Sequence, residues 1–156
     1  MIKYFIVTFY LLSCASSKKS IDGYDLVRFK EKIFSESKSV IQDYLLDVPK
    51  SGELKKINTG DSFIEYRVQY KDSSVIYILN DGLSGSRLNY ENRYNNNIKA
   101  VNRKSNYDTL TFGGTQKNGN YWKESFLGEI VIGYANAKPT KKEEFEKSLL
   151  TLRKKK

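Results

Sequence analysis

The chain has no histidine. That absence excludes Ser-His-Asp and Cys-His nucleophile systems, imidazole ligation of zinc, and a histidine acid or base working near neutral pH. An enzyme built from it is left with carboxylate, lysine or tyrosine chemistry. Cysteine occurs once, at Cys14, so no disulfide closes within the chain. Arginine is scarce beside lysine, 6 against 21, and the lysines are scattered among 18 acidic residues. Nucleic-acid binders lean on arginine forks and clustered basic faces, so no nucleic-acid partner is expected. Asp81 beside Asn80 supplies too few ligands for a calcium loop, and neither a metal nor a cofactor is predicted. Long apolar runs are missing as well. Tyr4 to Leu12, broken only by Thr8, falls far short of the roughly 20 residues that a bilayer-spanning helix needs.

What is present points to a folded domain beside a membrane. A composition of 39% apolar and 13% aromatic residues is too rich for a disordered chain, and residues 23–152 suffice for a single domain. The net charge of +9 falls to +8 without residues 1–13, whose one charge is Lys3. Lys3, the apolar stretch after it and the polar Ala15 to Ser20 have the layout of a secretory signal peptide. At its end stand Leu11, Leu12, Ser13 and Cys14, with leucine three positions before the cysteine and serine one before. This resembles the lipobox of bacterial lipoproteins, which is read by lipid-transferring enzymes and signal peptidase II.

The resemblance covers residues 1–14. It implies loss of residues 1–13, a diacylglycerol on the Cys14 sulfur and acylation of the new amino terminus. Two or three acyl chains hold a protein stably on a bilayer where one does not. Residues 14–22 then form a flexible tether. The membrane is a partner through this anchor, and the domain is expected in the periplasm or at the cell surface, on the cell membrane or the outer membrane.

Leu26, Phe29, Ile33 and Phe34, then Val40, Ile41, Tyr44 and Leu45, recur at spacings of three and four, which predicts one or two amphipathic helices within residues 23–46. Ile64, Tyr66, Val68 and Tyr70 alternate with polar residues, and Val75 to Leu79 is continuously apolar, which predicts a hairpin. Further strands are predicted over residues 107–115, 121–126 and 129–135, with tight turns at Asn118-Gly119 and around Gly128. Thr140 and Glu143 have capping-box spacing and open a helix with Phe145, Leu149 and Leu152 on one face. The expected fold is α+β: an antiparallel sheet of about five strands, N- and C-terminal helices packed on one face, and a basic tail at 153–156.

Residues 80–106 form the longest polar stretch, and loops of that length in a compact domain are functional or disordered. Tyr90, Arg93 and Tyr94 are its candidate binding residues, because tyrosine and arginine supply rigid aromatic area and polar contacts in recognition surfaces. The alternative is an asparagine-rich loop with no specific contact. Gly82 and Gly85 read as turn glycines, since no helix pattern of a nucleotide loop follows them. Trp122, the sole tryptophan, is either a platform for a glycan or partner, or a core residue of its strand. Glu65, Glu124 and Glu129 belong to different predicted strands, so a glycosidase-like carboxylate pair requires them to converge.

Tyr121 to Glu124, then Gly128 to Tyr134 and the lysine-rich last helix, resemble small Bacteroidota lipoproteins of no assigned activity over about residues 60–152. This implies a bacterial source and no mechanism. With no catalytic residue predicted, the expected function is a membrane-anchored binding or interaction protein of the cell envelope, holding a protein partner. An immunity-type lipoprotein is one form of it. The alternatives are a carboxylate-dependent envelope hydrolase and a structural lipoprotein contacting cell-wall polymer through its lysines.

Overall fold

The computed structural model describes residues 21–35, 38–58, 64–80, 85–95 and 109–155, so the lipobox and Cys14 lie outside the described residues. Where helices were expected within residues 23–46 the chain forms two long strands, β1 (Tyr24–Ser35) and β2 (Lys38–Pro49), paired antiparallel from Tyr24 opposite Pro49 to Ser35 opposite Lys38. The apolar spacing misled for a physical reason. The inward row of β1 is Val27, Phe29 and Glu31, while Leu26 points outward and is 45% exposed. A carboxylate facing in and a leucine facing out hide the period of two that a half-buried strand normally displays.

Six more strands build the main sheet: β3 (Glu53–Asn58), β4 (Ile64–Gln69), β5 (Val75–Leu79), β6 (Thr109–Thr115), β7 (Tyr121–Leu127) and β8 (Ile130–Ala137). They lie in the order β3-β4-β5-β8-β7-β6, every neighbour antiparallel. A ninth strand, β9 (Arg153–Lys154), pairs with β2 and completes a three-stranded sheet. Among the described residues, nine strands in two sheets thus replace the single sheet of about five. β3 went unseen because it is a lysine-bearing edge strand with no buried residue.

Among the described residues the α-helices are α1 (Tyr90–Asn95) and α2 (Lys142–Leu149), and neither is long and apolar enough to cross a membrane. The expected N-terminal helix is absent from them, so the fold is mostly β instead of α+β. The capping box at Thr140 and Glu143 does not form. Pro139 starts a 3-10 turn through Lys141, which pushes the α-helical start past Thr140 and leaves Lys141 at the N-cap without a side-chain cap.

The centre of the main sheet is buried on both faces. On the first, Ile76, Ile78, Ile130, Ile132 and Tyr134 pack against Phe29, Tyr44 and Leu46 of the small sheet and Phe145 and Leu149 of α2. On the second, Val75, Tyr77, Leu79, Phe126, Val131 and Ala135 form a separate apolar cluster. β5 and β8 therefore face apolar material on both sides, which explains their continuous apolar sequence.

Candidate functional site

The second face carries a polar row across four strands. Arg67 on β4 stands opposite Tyr77 on β5, Tyr77 opposite Gly133 on β8, and Gly133 opposite Glu124 on β7. Side chains alternate along a strand, so Glu65 shares the face of Arg67. A Cβ at Gly133 would collide with the Tyr77 hydroxyl, so the glycine leaves room for the phenol to cross β8. Tyr77 then donates to Glu124 Oε1 at 2.9 Å.

Gly85 to Asn95 lies over this row, and Ser86 is its hub. The Ser86 amide donates to Glu124 Oε1 at 2.7 Å, and its hydroxyl donates to Glu65 Oε2 at 2.9 Å. The same hydroxyl accepts from the Leu88 amide and caps the 3-10 turn Arg87–Asn89, while the Ser86 carbonyl accepts from Arg93 Nη1 at 3.3 Å. Arg93, on α1, pairs with Glu124 Oε2, and Arg67 Nε pairs with Glu65 Oε1. Asn89 donates to the Tyr77 hydroxyl at 2.7 Å and to the Tyr134 carbonyl at 3.1 Å. Gly85 sits at φ +67°, where a Cβ would stand 2.7 Å from Glu124 Oε2 and 2.8 Å from Arg93 Nη1. Glycine is required there both by the backbone and by the space.

Electrostatics follow from burial. Burial raises the Glu124 carboxyl, opposed by the Arg93 guanidinium and by the hydrogen bonds from Ser86 and Tyr77. The Tyr77 phenol is pushed well above its usual range by burial and by the neighbouring carboxylate. Glu65, Ser86, Asn89 and Glu124 are fully buried, and all four carboxylate oxygens of the two glutamates accept a hydrogen bond. The network is thus a clamp, with no oxygen open to a substrate.

What the clamp presents outward is aromatic. Tyr90 and Tyr94, one helical turn apart on α1, are 62% and 64% exposed, while Arg93 between them turns inward. Beside them a cavity of about 480 Å³ is lined by Arg87, Leu88, Tyr90, Glu91, Asn92 and Gln116. The predicted trio thus separates into two exposed tyrosines and one buried anchor. Trp122 is buried as a core residue of β7, its indole nitrogen without a hydrogen-bond partner. Glu65 and Glu124 converge on Ser86, whereas Glu129 stands apart in the β7–β8 turn beside Tyr44 on the first face. Tyr77, Ser86, Asn89 and Gly133 carried no signal in the sequence, because strand pairing for Tyr77 and Gly133, and the seating of the Ser86–Asn89 turn over the sheet, bring them together and not spacing along the chain. No protein-family model, curated protein or solved structure matches this chain.

Proposed function

We propose that the chain is a membrane-anchored, non-catalytic binding protein of the bacterial cell envelope, with the segment Gly85–Asn95 as its contact surface. The observation that supports this is the pair Tyr90 and Tyr94, held in the open on a helix whose inner side is pinned by the buried Arg93–Glu124 pair. A helix whose backbone is held in place before contact loses less entropy on binding than one that must form there. The anchor in this reading is a lipid on Cys14, ten positions before the start of β1.

Both parts are testable in cells. A fatty-acid probe labels the wild type and not Cys14→Ala; labelling of both, or of neither, removes the anchor. Affinity capture from cross-linked envelopes yields a partner that the Tyr90→Ala/Tyr94→Ala variant loses. An unchanged set of partners removes the contact surface.

A further inference from the structure

Across the main sheet from that surface, a cavity of about 330 Å³ opens between the two sheets. Its walls include Tyr44 from β2, Leu127 and Ile130 from the ends of β7 and β8, and Leu152 beyond α2; Glu129, Arg153 and Lys154 supply its charged groups. The volume is that of a small-molecule site, and apolar walls with a few polar groups are the usual lining of one.

Glu129 Oε2 is buried without a hydrogen-bond partner. A buried carboxylate oxygen is normally paired, because leaving it unpaired forfeits its hydration with no return. Arg153, also on the lining, does not serve it: its guanidinium is held by Asp47, with Nη1 3.1 Å from Oδ2, and by the Thr151 carbonyl. Lys154, the second cation on the lining, is exposed. The Tyr44 phenol is raised above its usual range by burial first, then by the charge of Glu129. What Glu129 Oε2 lacks is a hydrogen-bond donor, preferably cationic, on an apolar body.

We propose that this cavity binds a primary ammonium carrying an apolar chain, with the ammonium on Glu129 and the chain along Leu127, Ile130 and Leu152. An apolar alcohol lacks the charge that Glu129 selects, and a carboxylate of the same length is repelled by it.

The probes are hexylammonium, hexanol and hexanoate, titrated at neutral pH into the ¹⁵N-labelled full chain and followed by amide chemical shifts. Hexylammonium is expected to move the Gly128, Ile130 and Leu152 amides saturably, with hexanol and hexanoate at least tenfold weaker. Glu129→Gln keeps the shape of the side chain and weakens hexylammonium about tenfold or more. Leu152→Trp fills the cavity without touching the carboxylate, abolishes binding, and decides the matter if Glu129→Gln disturbs the fold. No saturable shift at these amides, equal binding of hexanol, or affinity unchanged in either folded variant overturns the proposal.

Discussion

Arg93 and Glu124 form an ion pair between residues 31 positions apart, with side chains 6% and 0% exposed. It joins α1 to the centre of β7, and so fixes which side of the short helix faces outward. Six residues of helix are marginal in water. The conformation of α1 depends on this contact and on Ser86 and Asn89 beside it.

Arg93→Ala leaves the Glu124 charge buried and uncompensated, and is expected to lower stability by about 3–5 kcal/mol. Replacing both residues with methionine is expected to cost less than the sum of the single changes, because no charge is then stranded. Urea unfolding of the wild type, Arg93→Met, Glu124→Met and the double methionine variant measures this; strict additivity contradicts the clamp.

Gly85→Ala meets both a positive φ and the crowded Glu124 and Arg93 atoms, whereas Gly119, at φ +82°, has open space where a Cβ would stand. Gly119→Ala is expected to cost about 1 kcal/mol from backbone conformation alone. Gly85→Ala costs distinctly more. Equal shifts in urea midpoint contradict the packing assigned to Gly85.

Tyr90→Ala and Tyr94→Ala remove exposed side chains and are each expected to change stability by less than about 0.5 kcal/mol. Loss of the captured partner in these variants, with unchanged unfolding curves, separates recognition from folding. A large drop in unfolding midpoint would place the tyrosines in the fold instead.

Glu31 is 3% exposed in the inward row of β1. Burial, opposed by the charge of Lys56, raises its carboxyl from the ordinary 4.5 to about 8. The native chain therefore keeps a proton that the unfolded chain gives up. The sign is fixed: this contribution is fully present below the unfolded value and is lost as pH rises through the native one. Stability measured from pH 5 to pH 9 falls and then levels off, and Glu31→Gln flattens the slope, gaining about 4 kcal/mol at pH 8. An unaltered slope in the variant assigns the pH dependence to other groups.

The strands whose two faces differ were legible from the chain. β4 shows its period of two because Tyr66 and Val68 face the apolar layer while Glu65 and Arg67 face the polar row. The Asn118-Gly119 turn was legible too, since Gly119 adopts the positive φ that its dipeptide favours. β1 was not, because Glu31 occupies an inward position and Leu26 an outward one. The candidate site was half legible: composition marked Tyr90, Arg93 and Tyr94 together, without saying which would turn inward.

The sequence by itself determined the chemical repertoire: no histidine, one cysteine next to a short apolar stretch, and enough alternating apolar residues for a sheet. Those properties are local, carried by residue type and short-range spacing. Only the tertiary structure decided that residues 23–46 form a hairpin, that Glu65 and Glu124 meet at Ser86, and that Glu129 stands apart beside a cavity. Antiparallel pairing sets residues opposite one another across strands distant in the chain, and a period read along the backbone carries no record of that register.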